Sequence, residues 1–304
     1  MLRPLLVVLM LAPLALAQKP APDPEKAKED AEAVKKQQKV AGEHLKTIKI
    51  AKPTLVETDN LLVYADLKEE AVKPVAEAAQ KAYERAVKDL KFGEKDRLWT
   101  GKLTLYVLAD RTKEYTPFVK LVEGKSGKLD ADEMRTFAVK GPGGEPFAAV
   151  TASPTSKTVD ADLKTEAAVA VADALITQKA GAPVPTWVQD GMGKAIAYRA
   201  ETGGKSLEAH KAKVKKLFTK TTVGTFKAAD VWGDAKAKDA DTLAVSLGEY
   251  ILYGASGEAM EKFLGGFRPG ENQTTATTAN ALEAAEWKAD GLDTAWKKWV
   301  MGLK

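Results

Sequence analysis

Cysteine is absent from the 304-residue chain, and histidine is nearly so, with only His44 and His210. The first absence excludes disulfides, thiolate metal sites, cysteine nucleophiles and a lipid-bearing cysteine behind a leader, so stability has to come from packing. Long apolar runs are also scarce. The stretch from Leu5 to Leu14 is shorter than the roughly 20 residues a spanning helix needs, and it has Pro4 and Pro13 at its edges. With Arg3 before it and Ala15-Leu16-Ala17 after it, this stretch has the form of a signal peptide cleaved after Ala17. The expectation is an exported chain, periplasmic or extracellular, with no stable membrane span after cleavage.

Charge of one sign is lacking as well. The formal net charge is +4, and losing Arg3 with the leader lowers it to +3, too little for general nucleic-acid affinity. Lys211, Lys213, Lys215, Lys216 and Lys220 form the sharpest basic cluster, but Val214, Leu217 and Phe218 interleave with them at helical spacing. That pattern reads as the solvated face of an amphipathic helix. With 45% hydrophobic and 29% charged residues, what remains is an ordinary globular composition.

Along the chain, residues 18–53 read as a proline-rich tether and an exposed helix rich in lysine and glutamate, with His44 at its surface. Residues 54–158 read as an α/β subdomain. Leu55-Val56, Leu61 to Tyr64, Leu103 to Leu108, Phe137 to Val139 and Phe147 to Thr151 are its β-prone runs, and Gly141-Pro142-Gly143-Gly144 marks a turn. Between the strands, Val72, Val75, Ala76, Ala79, Tyr83, Val87 and Leu90 recur three or four apart and predict a long amphipathic helix. Residues 159–304 read as a helical subdomain. Asp160 or Asp162 is placed to cap a helix whose middle, Ala167 to Ala174, is nearly all apolar and so expected to be buried on every side. Pro185 opens the next helix and Gly203-Gly204 closes it. Asn272-Gln273-Thr274 matches a glycosylation acceptor pattern that is common by chance.

The Leu62-Val63-Tyr64-Ala65-Asp66 strand, the long helix, the second strand leading to Tyr115-Thr116-Pro117-Phe118 and the turn-rich hairpin together resemble the N-terminal part of gluzincin-type zinc peptidase domains, especially the bacterial peptidase-MA-like group. The segment from Pro185 to Ala195, with Trp187, Asp190 and Gly191, is similar to that group's Pro-x-Trp-Leu-x-Glu-Gly-Leu-Ala helix. Leu247 to Leu252, Phe263 to Phe267 and Leu292 to Val300 resemble its helical tail. The resemblance covers most of residues 54–304. It implies a thermolysin-like α+β fold with a small mixed sheet, a long helix early in the chain, a mostly helical second half and a cleft between two helices.

The motif that carries the family's chemistry is missing. His-Glu-x-x-His on a helix aims two imidazoles at one metal, because residues four apart share a face, and its glutamate polarises the bound water. The matching stretch here reads Val169-Ala170-Val171-Ala172-Asp173-Ala174-Leu175-Ile176. Making Glu166 the base puts Thr165 and Val169 where histidines belong, and the family's third ligand falls on Asp190, one methylene short of a glutamate. His44 and His210 lie in lysine-rich segments outside this helix. No cofactor is expected, and the resemblance places a vestigial cleft at Val169, Ala170, Asp173, Trp187 and Asp190.

Three readings follow. One is an exported pseudo-peptidase binding a peptide, a polymer or a protein partner in that cleft. Another is a metal-free hydrolase working through Asp173, Asp190 or Glu166, since two carboxylates can form an acid–base pair. The last is a structural envelope protein whose cleft is filled. The plainer account of Asp173 is a partner such as a lysine or a buried amide, because a lone charge on an apolar helix needs one. For Trp187 and Tyr198 it is core packing or groove lining.

Overall fold

The computed structural model describes residues 24–93, 96–124, 134–153, 158–219, 222, 224–232, 239–270 and 277–302. The expected leader, Lys220 and the Asn272-Gln273-Thr274 tripeptide lie outside these residues.

Helix α1 (Pro24–Thr47) comes first, followed by strands β1 (Thr54–Glu57) and β2 (Leu61–Ala65), helix α2 (Glu69–Asp89) and strand β3 (Leu103–Val107). A wide helical turn, Arg111–Tyr115, leads into α3 (Thr116–Glu123), and a hairpin of β4 (Arg135–Ala138) and β5 (Phe147–Val150) completes the sheet. The second half contains α4 (Val159–Ala180), α5 (Thr186–Ala200), α6 (Lys205–Leu217), α7 (Ala229–Trp232), α8 (Ala240–Tyr253), α9 (Gly257–Gly265), α10 (Thr278–Ala284) and α11 (Ala289–Gly302). The chain is therefore α+β, with a small mixed sheet ahead of a helical half.

Strand order is β1-β2-β3-β5-β4. The three central strands β2, β3 and β5 run parallel, and each edge strand joins antiparallel. Parallel pairing of β2 with β3 needs a long crossover, and α2 supplies it. All three central strands are buried throughout, as parallel strands covered on both faces must be, so they read as largely apolar runs.

One face of the sheet, with Leu61, Val63, Leu103, Leu105 and Val107, packs on α2 and α4 in a core that continues through α5, α8, α9 and α11 to Trp296. Residues 54–158 and 159–304 therefore share one apolar core. The other face, with Leu62, Tyr64, Tyr106 and Phe147, is covered by Ala41 and Leu45 of α1 and by Phe118 and Val119 of α3. Most of α1 faces solvent while Gln37, Ala41 and Leu45 are buried, and the expected tether lies outside the described residues. Lysine and glutamate hide a narrow stripe on α1 that closes the sheet, since an uncovered apolar face is costly. Polar bonds set its register: the Gln37 side chain donates to the Lys102 carbonyl at 2.6 Å and accepts from the Lys102 amide at 3.0 Å. Arg97 binds Glu29 and Asp30. His44 is half-buried rather than at the surface, with Nδ1 3.1 Å from the Tyr106 hydroxyl.

In α4 the middle is buried on all sides, as its composition predicted. The cap position is Thr158, however, so Asp160 and Asp162 sit in the first turn, where carboxylates meet the positive end of the helix. Gly181 ends α4 at φ 71°, a left-handed conformation that favours glycine. The crossing of α5 and α8 also depends on glycine. A Cβ on Gly191 would collide with the Ala244 carbonyl, and one on Gly248 with the Gly191 backbone. On α6 the lysines face outward as expected, but His210 is buried, 6% exposed, beside Tyr198. Its Nε2 has no partner among the described residues.

Burial holds the His210 imidazole neutral and lowers its pKa to about 4. A folded-state value below the unfolded one means full stability above about pH 6.5 and progressive loss towards pH 4. That loss amounts to about 3 kcal/mol at most. Urea unfolding at pH 7, 5.5 and 4.5 measures it, and His210→Gln is expected to flatten most of the slope. Burial pushes the His44 value down too, so a smaller slope of the same sign remains.

Candidate functional site

At the β4 edge of the sheet, Arg135 extends towards α4 and α5 and meets three carboxylates. Its Nε donates to Asp173 Oδ2 at 2.8 Å, its Nη1 to Glu166 Oε2 at 2.8 Å, and its Nη2 to Asp190 Oδ1. Glu166 and Asp173 lie seven residues apart on α4, close to two full turns, so both project from the same face. Asp190 comes from the first turns of α5. Gly193, one turn further along α5, makes the approach possible: a Cβ there would collide with Asp173 Oδ1.

Exposure is graded across the cluster. The Asp173 side chain is 1% exposed, Glu166 10%, Arg135 14% and Asp190 28%, so Asp190 is its solvent-side member. Burial raises the Asp173 pKa above the ordinary carboxylate value, and Arg135 only partly opposes this. Burial also works against the Arg135 charge, but Asp173 and Glu166 outweigh it, and the guanidinium holds its proton more tightly than usual. Asp173 Oδ1 is buried without a hydrogen-bond partner among the described residues.

Beside this cluster is an open cleft of about 980 Å³. The β4 strand forms one wall, and the C-terminal half of α4 and the start of α5 form the other, with Phe137, Thr177, Pro183 and Gln189 among the lining residues. The Met134 carbonyl accepts from the Thr151 amide at 2.8 Å. Backbone direction alternates along a strand, so residues 134, 136 and 138 bond towards β5, while Arg135 and Phe137 turn their N–H and C=O groups outward. The sheet therefore ends, at the cleft, in an edge that pairs with no described strand.

Of the five residues expected at a vestigial cleft, Asp173 and Asp190 line this open cleft beside β4. Val169 and Ala170 are fully buried and belong to the core instead, because α4 is enclosed on every side there. Trp187 is 8% exposed and packs with its ring tilted against Trp232 and Phe263, with Nε1 donating to Thr278 Oγ1 at 3.1 Å. The open groove thus lies between β4 and the two helices, not between the helices at Val169 and Trp187. Tyr198 lines a different cleft, between α2, α4 and α5. Asp173 does find a partner, but it is a strand arginine rather than a lysine or an amide.

The β-prone run begins at Phe137, so sequence pattern alone leaves Arg135 outside the strand. A signal was present: the chain has 46 basic residues and only seven are arginine. Arginine is the side chain whose planar fork suits several carboxylates at once. Among the described residues, no group of three or more His, Asp or Glu could hold a metal ion. Comparison of the chain with protein-family models and with curated proteins gives no match.

Removing the guanidinium leaves three clustered carboxylates with no counter-charge, an arrangement that typically costs about 3–5 kcal/mol. Arg135→Ala is expected to lose stability in that range by chemical denaturation at pH 7. Arg135→Lys, which keeps the charge but cannot make three directed bonds, is expected to fall between the variant and the native chain.

Proposed function

We propose that this chain is an exported, non-catalytic binding protein on a scaffold like that of the gluzincin peptidases, and that it holds an extended peptide segment in the cleft beside β4. The observation that carries this reading is the β4 edge, which pairs with no described strand and opens onto the cleft. An extended chain gains main-chain hydrogen bonds by adding to such an edge, while pockets for alternate side chains confer selectivity.

The resemblance places the family's zinc ligands on the helices that here are α4 and α5. In this chain α4 has Val169 and Asp173 at those positions, and Arg135 bridges Asp173 to Asp190. An internal guanidinium in that place supplies the counter-charge that a metal would bring. It lacks the open coordination position from which a catalytic zinc activates water.

A second reading is a metal-free hydrolase, favoured by one feature: burial leaves Asp173 with an unusual hold on its proton, as a general acid needs. Both of the carboxylates it would use are tied to Arg135, which favours binding over turnover. Should the chain hydrolyse a peptide or glycan, Asp173→Ala and Asp190→Ala are each expected to abolish that turnover.

Two measurements test the primary reading. Elemental analysis of the purified full chain is expected to find well below one zinc per molecule, and a stoichiometric content contradicts it. For peptide binding, an array of random-sequence decapeptides is screened, and the best binder is titrated by fluorescence anisotropy. Amide exchange is then followed by NMR. The Arg135 and Phe137 amides are expected to exchange fast in the free chain and to slow at least about tenfold when the peptide is bound. Binding that leaves those two amides unprotected would remove β4 from the site.

A further inference from the structure

Resting on the peptide reading above, we infer that the segment held in the cleft presents a basic side chain, lysine or arginine, to Asp190. Charge balance is the first ground. Glu166, Asp173 and Asp190 surround one guanidinium, a formal surplus of two negative charges that falls to one where Asp173 keeps the proton that burial favours. Of the other cations, Lys194 is committed to Asp241 on α8, and Lys140, which also lines the cleft, follows β4 five residues beyond Arg135. A half-buried surplus of one sign is weakly screened and favours a ligand of the opposite sign.

Strand geometry is the second ground, and it is independent of charge. Along β4, side chains alternate between the two faces of the sheet. Arg135 faces α4 and α5, where its guanidinium reaches them, and so does Phe137, two residues on, which packs against the main core. On an added strand, the residue directly opposite Arg135 projects its side chain from this same face, with Cβ atoms about 5 Å apart. That side chain enters the cleft beside the cluster.

The graded exposure then selects the contact. Arg135 is drawn inward onto Asp173 and Glu166, the two least exposed carboxylates. Asp190 is the most exposed of the three; one of its oxygens is engaged by Arg135, and no other described residue bonds the second. A lysine or arginine stem running along Thr177 and Gln189 would deliver its cation to that free oxygen. An acidic side chain at the same place would meet the surplus of its own sign, and an apolar one would leave the second Asp190 oxygen without a partner as water is displaced.

The experiment uses three fluorescein-labelled nonapeptides of alternating threonine and valine, identical except for lysine, methionine or glutamate at the centre. Each is titrated by anisotropy into the full chain, into Asp190→Asn and into Asp190→Glu, at low and high salt, with thermal unfolding as the check on folding. The lysine peptide is expected to bind about tenfold more tightly than the methionine one, and the glutamate peptide more weakly than both. The lysine advantage is expected to fall to within about twofold in Asp190→Asn, to persist in Asp190→Glu and to shrink with salt.

Equal affinity for all three peptides, with the β4 amides protected, would overturn this inference and leave the peptide reading standing. No binding by any of them, together with no binder in the decapeptide array, would sink both. A lysine preference undiminished in a folded Asp190→Asn chain would assign the basic side chain to some other carboxylate and overturn the proposal.

Discussion

One guanidinium holding three carboxylates joins the parts of this molecule that sequence order keeps apart. Arg135 belongs to a four-residue edge strand with a single sheet partner, and a strand so short and so poorly paired has little hold of its own. Its bonds to Glu166 and Asp173 on α4 and to Asp190 on α5 fasten that edge to the two helices. Such an ion cluster is a poor source of net stability, because desolvation offsets most of its attraction. What it provides is position: the edge strand has one place to sit, and the cleft beside it has a defined width.

The helices that receive Arg135 are themselves held by close backbone contact. In the run Asp190-Gly191-Met192-Gly193, the first residue supplies a carboxylate, and the two glycines allow approach on opposite sides, Gly191 against α8 and Gly193 against Asp173. Glycine weakens a helix interior by about 1 kcal/mol relative to alanine, a cost that closer packing here offsets. Further charge pairs lock the same contact. Lys194 meets Asp241, and Arg199 binds Glu249 at 2.5 Å while lying over the Tyr253 ring. Tyr253 in turn donates to Asp89 on α2 at 2.5 Å, so α2, α5 and α8 form a continuous network. The wall carrying Asp190 is therefore tied to two neighbouring helices, as the proposed selection of a ligand by charge placement requires.

Coverage of the sheet explains why a single cleft gathers the features of a site. Helix α1 closes one face, and α2 and α4 close the other. At the far edge, β1 carries Glu57 bonded to Lys102, a charge of the kind that blunts an exposed strand. The β4 edge has a cleft and a charged cluster instead, and that difference between the two edges supports the functional reading.

The mixed α+β architecture, the helix from Glu69 to Asp89, the enclosed middle of α4 and the helix break at Gly181 to Pro185 were legible in the sequence, because each rests on local periodicity or on backbone rules that need no distant partner. Absence of a two-histidine zinc motif on α4 was legible for the same reason, being a matter of residue type at fixed spacing. The part played by α1 was not, since a stripe of Val34, Ala41 and Leu45 is too narrow to distinguish a covering helix from a solvated one until the apolar face beneath it is known. Nor was the partner of Asp173, which lies 38 residues earlier in the chain on a strand that pairs elsewhere. Burial of His210 was hidden in the same way by the lysines around it. Local pattern decides which elements form, whereas their juxtaposition, and with it the site, depends on long-range packing and charge pairing that only the tertiary structure decides.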